Sequence, residues 1–175
     1  MKLHLGCGDV YIPGWIHVDA RKLPHVDRHD PLDALDIEDN SASYIYACHV
    51  LEHFPRARVT HVLREWHRVL EPNGILRVAV PDFGELVKLY RQTGDIELIH
   101  GPLYGRQDYS KNIHYTAFDQ RSLVAALLGA GFVSAQRYDW RKTEHADMDD
   151  YSQSYYPHMN KEYGQLLSLN MEALK

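Results

Sequence analysis

The chain has 175 residues and carries 19 Lys+Arg against 24 Asp+Glu, a formal net charge of −5. Its 45% hydrophobic and 25% charged fractions suit a globular domain long enough to bury a full core. With no basic block, the balance argues against a dedicated nucleic-acid binder. No apolar run reaches the length of a membrane span, and no charged-then-apolar leader opens the chain, so no membrane insertion is expected. The two cysteines, Cys7 and Cys48, are too few for a disulfide framework and suit a reducing, cytoplasmic setting. The 12 histidines and 12 tyrosines are the compositional oddity, fitting either a polar-ligand site or a wet surface.

The first predicted element is a strand over Lys2–Leu5 that runs straight into Gly6-Cys7-Gly8-Asp9. An apolar run followed by Gly-x-Gly reads as a buried strand and a tight turn that lets backbone approach a ligand. Trp15–Val18 follows as a second strand ending in Asp19. The link between them is too short for a helical crossover. Either one turn replaces the helix, which is the preferred reading, or the strands are not parallel neighbours. Arg21–Asn40, rich in Asp, Pro and His, reads as loop with a weak strand near His25–His29.

Ser43–Cys48 is β-prone and reads as a third strand. Pro55 opens a helix whose Val59, Val62, Leu63, Trp66, Val69 and Leu70 share one face, and Pro72-Asn73-Gly74 stops it. Ile75–Val80 is a buried strand with Pro81-Asp82 at its tip. A helix over Phe83–Arg91 is expected to bury Phe83, Leu86, Val87 and Tyr90. Gln92–Phe118 reads as a long irregular stretch of the kind that serves as a lid. Asp119 caps a helix running to Ala130 that Gly131 ends, and Phe132–Tyr138 is a strand. Asp139–Gly164 is a second long, tyrosine-rich loop. Gln165–Leu174 closes the chain as a half-buried strand with Leu167, Leu169, Met171 and Ala173 on one face. With no repeat and no linker, residues 1–175 read as one α/β domain.

A glycine turn after one strand and a carboxylate at the tip of the next is the plan for gripping an adenosine-type ligand. The third glycine of a dinucleotide fingerprint is missing, since Tyr11 stands there. Leu5-Gly6-Cys7-Gly8, Val18-Asp19, His49-Val50-Leu51-Glu52-His53, Arg68–Gly74, Val78–Asp82 and Gly129-Ala130-Gly131-Phe132 occur in order along the whole chain. This set resembles the class I S-adenosylmethionine-dependent methyltransferases, of the small stand-alone type.

The resemblance implies a Rossmann-like α/β fold: a mostly parallel twisted sheet with an antiparallel final strand and helices on both faces, without N-terminal cap helices. Either the two long loops or another subunit would then cover the acceptor. It also implies S-adenosylmethionine as cofactor, with S-adenosylhomocysteine as product. Leu5, Gly6, Cys7 and Gly8 would border its methionine, Asp19 its ribose, and Asp30 and Leu32 its adenine. Cys48, His49 and Leu51 would line the methyl group.

A hydroxyl acceptor needs a base, and histidine is the usual one. His114 is the first candidate and His49 the second. Tyr115, Tyr151, Gln153, Tyr155 and His158 suit a sugar or other small polar acceptor, and the resemblance tilts toward sugar O-methylation. The partners expected are that small molecule or glycan, and a homodimer or larger multi-enzyme assembly, with no nucleic acid. No residue is assigned to a metal; His145, Asp147, Asp149 and Asp150 read as a solvated charge cluster. Two rivals remain. One is a cofactor-binding module without catalysis. The other is a zinc hydrolase using His49-x-x-Glu52-His53, with Glu65, Glu71 or Glu85 as third ligand.

Overall fold

A computed structural model describes residues 1–175. Six strands form the central sheet: β1 (Lys2–Leu5), β2 (Ile16–Val18), β3 (Ala42–Cys48), β4 (Leu70–Pro81), β5 (Ser134–Arg137) and β8 (Ser168–Leu174). Their order is β2-β1-β3-β4-β8-β5, and β6 (Tyr155–Tyr156) pairs with β7 (Gln165–Leu166) in a separate two-stranded ribbon. The first four strands of the sheet run parallel, while β8 runs antiparallel to both β4 and β5. This is the expected mostly parallel sheet with an antiparallel last strand.

β1 and β2 are direct parallel neighbours, with Leu5 opposite Val18. Turns alone connect them, so a turn does replace the crossover helix. The weak strand expected near His25–His29 shrinks to a single bridge between Val18 and Arg28. The rest of that loop is held from outside. Trp66 Nε1 donates to Leu32 O at 2.8 Å, and Leu35 N donates to Glu65 Oε1 at 2.7 Å. Backbone polar groups that find no ladder here find side chains of the next helix instead.

That helix is α1 (Val59–Val69), and Val59, Val62, Leu63, Trp66 and Val69 are buried as the periodicity requires. It ends before Pro72, because Leu70 already turns extended and joins β4 opposite Ala42. Glu71–Gly74 then form an irregularity in the pairing, after which Ile75 meets Tyr44. α4 (Gln120–Ala130) starts on a capping box between Asp119 and Ser122 and ends on Gly131 at φ 116°. α1 and α4 cover one sheet face over a continuous core that includes Leu3, Ile45, Leu63, Trp66, Leu127 and Met171. Each such buried side chain stabilises the fold by about 1.5–3 kcal/mol.

α2 (Phe83–Thr93) differs from expectation in its facing. Leu86 and Leu89 are its buried residues, while Phe83, Val87 and Tyr90 stay substantially exposed. Its neighbour α3 (Glu97–Tyr104) lies inside the stretch expected to be irregular, and carries Pro102 in its last turn. The two helices pack on one another through Leu86, Leu89 and Ile99 and on Leu167, just ahead of β8. They therefore sit beyond the end of the sheet.

The second sheet face departs from the expected helical layer. It presents His4, His17, Tyr44, Tyr46, Arg77 and Glu172, and the Asp139–Gly164 loop lies over it. His145 packs on Tyr46 with ring centroids 4.3 Å apart, and Met148 joins Ile12, Trp15 and Tyr46. Asn170 Nδ2 donates to Ser152 O at 2.8 Å, so β8 is buried on both faces. The predicted acidic cluster is dispersed by this packing. Asp150 accepts from Tyr46, Asp149 pairs with Lys161, and His145 is buried.

Candidate functional site

Gly6, Asp19, His49 and Asp82 follow the last residues of β1, β2, β3 and β4, so the motif residues gather at one edge of the sheet. That edge, beyond the carboxyl ends of parallel strands, is where open α/β sheets bind ligands. Gly6 and Gly8 have φ of 62° and 56°, a left-handed backbone that other residues enter at a cost. A Cβ on Gly6 would run into Cγ2 of Val50, so the turn closes directly against the tip of β3. Gly6 N donates to Val18 O at 2.7 Å, locking the turn onto β2.

Asp19 is buried and holds the turn in place. Gly8 N donates to its Oδ2 at 2.8 Å and Arg21 N to its Oδ1 at 2.8 Å. A carboxylate oxygen accepts two bonds, so each oxygen keeps capacity for a further donor. The donor set is compatible with S-adenosylmethionine: a left-handed glycine turn at the sheet edge with a buried, preset carboxylate beside it. Leu5 faces the core and is fully buried. The Cys7 thiol is pushed up to about 12 by burial, then by the charge of Asp19. It stays protonated at neutral pH and lines the turn without serving as a nucleophile.

Asp30, expected beside the adenine, accepts from Arg28 Nε at 2.8 Å. Leu32 is half-buried against the core. Asp82 is used up structurally: it caps α2 through Gly84 N and takes Arg137 Nη2 at 2.9 Å.

At the tip of β3 two expectations are corrected. Leu51 points into the core and is fully buried, and Cys48 packs toward Tyr46 on the second face. Burial lifts the Cys48 thiol well above its ordinary range. His49 is different. Its φ of 54° is left-handed for a residue with a Cβ, a strain that marks functional turns.

Leu51–His53 then form one 3-10 turn and bury Glu52 completely. His49 Nδ1 stands 3.2 Å from Glu52 Oε1, within ion-pair reach, yet neither carboxylate oxygen has an aligned hydrogen-bond donor. Burial raises the Glu52 carboxyl, but the field of His49, then of His53 and His114, outweighs it and holds it below its ordinary value. Tyr115 N and Thr116 N both donate to Glu52 O, which brings the distant 113–116 segment against this turn.

His114 arrives with that segment. Its Nδ1 is 2.8 Å from Pro102 O and its Nε2 is 4.0 Å from Glu52 Oε1. A carbonyl only accepts, so Nδ1 carries the proton and Nε2 of the neutral ring keeps its lone pair. Burial lowers the His114 pKa, against the raising effect of Glu52, so the ring is neutral at pH 7. His53 is arranged alike: Nδ1 donates to Ile113 O at 3.1 Å, and its ring meets that of His114 edge-on at 4.7 Å. His49 Nε2 lies 3.2 Å from Ser168 Oγ, so both His49 nitrogens already have neighbours.

The acceptor-side residues divide. Tyr151 is exposed, with its ring 5.4 Å from that of His49 and its hydroxyl accepting from Arg106 Nη2. Tyr115 and His158 are exposed as well. Gln153 and Tyr155 are buried and occupied, Gln153 by Ala146 O and Met148 O, Tyr155 by Trp140 and Arg141. These two hold the loop together, and their assignment to the acceptor is withdrawn. The grouping of Glu52 and His53 with His114 was missed from sequence. The signal was present in the His49–His53 motif, but the partner came from far along the chain.

Comparison with known proteins gives the class. Residues 11–78 match the family of the methyltransferase domain. No curated protein sequence matches the chain. A S-adenosylmethionine-dependent methyltransferase from Thermotoga maritima shares the fold with a TM-score of 0.63 at 15% identity, over 99% of this chain and 81% of that one. A methyltransferase from Haloferax volcanii, solved with the Trm112 methyltransferase activator, gives 0.58 at 14% identity, over 99% and 81%. The 1,6-didemethyltoxoflavin-N1-methyltransferase of Burkholderia thailandensis, solved with its substrate and S-adenosylhomocysteine, gives 0.58 at 19%, over 99% and 70%.

The solved structures establish the fold, and residues 11–78 match the methyltransferase domain. Together they support an S-adenosylmethionine-dependent methyltransferase of the small class I type, with S-adenosylmethionine as its cofactor. The matched span includes His49–His53, which favours the methyltransferase reading of that motif over the zinc hydrolase. Two of its suggested third ligands are also committed elsewhere, Glu65 to Arg68 and Glu85 to Lys88 and Gln165. No helix is long and apolar enough to cross a membrane.

Proposed function

We propose that the chain methylates a hydroxyl of a small polar acceptor, a sugar or glycan being the class that its exposed tyrosines suit. One observation carries this reading: a neutral imidazole, His114, directs a free Nε2 toward the buried Glu52 at the tip of β3. S-adenosylmethionine, when bound, would supply an electrophilic methyl group and leave as S-adenosylhomocysteine. The chain's own part is to hold acceptor and methyl in line and to receive the hydroxyl proton at His114 Nε2. Positioning of this kind can supply roughly 7–11 kcal/mol of the barrier.

His49 sits beside Glu52 and orients the carboxylate. Tyr151 and Tyr115 offer exposed rings and hydroxyls at the mouth, which suit a carbohydrate face. A cytoplasmic setting and action as one domain over 1–175 belong to the same proposal. So does a protein partner, either a second copy or another enzyme, supported by the activator-bound Haloferax methyltransferase.

Calorimetric titration with S-adenosylhomocysteine, followed by methyl transfer to a panel of hydroxylated acceptors, tests the reading. Binding in the micromolar range is expected. His114→Ala should retain that binding and lose turnover. No binding up to millimolar ligand overturns the reading, and turnover retained in His114→Ala removes His114 as the proton acceptor.

A further inference from the structure

We propose that Glu52, His53 and His114 form a binding site for a divalent transition-metal cation of the zinc type. Their donor atoms, one carboxylate oxygen and two imidazole nitrogens, all lie within 4.8 Å of one another. A tetrahedral zinc ion at about 2.0–2.2 Å from each ligand would draw them in by small side-chain rotations.

Three observations support a cation over a plain buried cluster. Glu52 is fully buried and both its carboxylate oxygens lack a hydrogen-bond donor. A buried charge left so is costly unless it is paired or bound to a metal. Both histidines give Nδ1–H to a backbone carbonyl, His53 to Ile113 and His114 to Pro102. That outer bond fixes the tautomer in which Nε2 carries the lone pair, as metal-ligating histidines require. Finally, two imidazoles and one carboxylate form the donor set of open catalytic sites, which leave a position for an oxygen ligand.

The site lies on the acceptor side proposed above, and its role, though not its existence, rests on that reading. An acceptor hydroxyl entering the open position would be acidified by the cation and lose its proton to bulk water, because His114 Nε2 is a ligand in the metal-bound form and no longer the proton acceptor. That is the task the free imidazole otherwise serves, and it favours acceptors that offer an oxygen ligand, such as a vicinal diol.

The test uses the full chain, stripped with a chelator and titrated with Zn²⁺ by calorimetry, with Co²⁺ absorption as a second probe of tetrahedral coordination. One equivalent of Zn²⁺ should bind, and Glu52→Gln, His53→Gln and His114→Ala should each weaken it by at least about tenfold. His61→Ala, on the exposed face of α1, should leave it unchanged. Binding of S-adenosylhomocysteine by each variant serves as the check of folding. Zinc binding that is absent, or indifferent to all three substitutions in chains that still bind S-adenosylhomocysteine, overturns the metal site and leaves the methyltransferase reading standing. Loss of S-adenosylhomocysteine binding by the unsubstituted chain would instead strike the methyltransferase reading itself.

Discussion

The Tyr46 hydroxyl on β3 donates to Asp150 Oδ2 at 2.6 Å, tying the Asp139–Gly164 loop to the sheet face that no crossover helix covers. Asp150 Oδ1 meanwhile accepts from Ser152 N at 2.8 Å. One carboxylate thus joins the sheet to the turn that also receives Asn170.

Tyr46→Phe should therefore cost about 1.5–3 kcal/mol, the range for a hydrogen bond to a charged group. Asp150→Ala should cost more, because Ser152 N also loses its acceptor. Denaturant unfolding measures both, and hydrogen exchange should quicken first within residues 139–153. Uniform acceleration across the chain would show that the loop is no separate cover.

Gly6→Ala should destabilise the fold by about 2–3 kcal/mol, through a left-handed alanine and a clash with Val50. Val50→Ala removes the clash but not the backbone strain. The double variant should therefore fall short of the summed costs by about 1 kcal/mol, measured as a double-mutant cycle. Strict additivity would mean that the turn does not press on the tip of β3.

What the sequence made legible was local. β1, β2, α1 and the capped α4 each write their periodicity and stop signals into adjacent residues, and each forms close to where expected. Gln92–Phe118 read as irregular, yet α3 forms within it, since the proline at position 102 deletes a single donor and a short helix tolerates it near its end. Phe83, Val87 and Tyr90 are apolar at helical spacing, but periodicity cannot say whether a neighbour comes to cover them. Glu52 and His114 meet only because Tyr115 N and Thr116 N dock on Glu52 O, a contact between distant segments that no local pattern encodes. The glycine turn and its carboxylate were readable as a unit because Gly6, Gly8 and Asp19 lie within one short stretch.

Asp19→Ala should weaken S-adenosylhomocysteine binding by about 1.5–3 kcal/mol, from loss of a charged hydrogen-bond acceptor. Because Gly8 N and Arg21 N also lose their acceptor, the melting temperature should fall as well. Calorimetry well below the new melting temperature separates the two effects. Unchanged affinity in a destabilised chain would make Asp19 a brace for the turn and nothing more.

His4 makes the stability of this fold depend on pH. It stands on β1 opposite His17 and Tyr46, and its Nδ1 is buried without a partner. Burial, then the fields of His17, His145 and His25, lowers its pKa from 6.5 to about 3. Below pH 6.5 the unfolded chain takes up a proton that the folded chain refuses, so stability falls as pH falls. The slope is about 1.4 kcal/mol per pH unit for this one group, and it flattens only near pH 3. His67, His114 and His145 are also lowered and add their own shares. His4→Phe keeps a ring against Tyr46 and removes only the His4 share. Between pH 7 and pH 5 its loss of unfolding free energy should be smaller than that of the unsubstituted chain by about 2 kcal/mol. Urea unfolding at the two pH values measures the difference, and equal losses would place the acid sensitivity elsewhere.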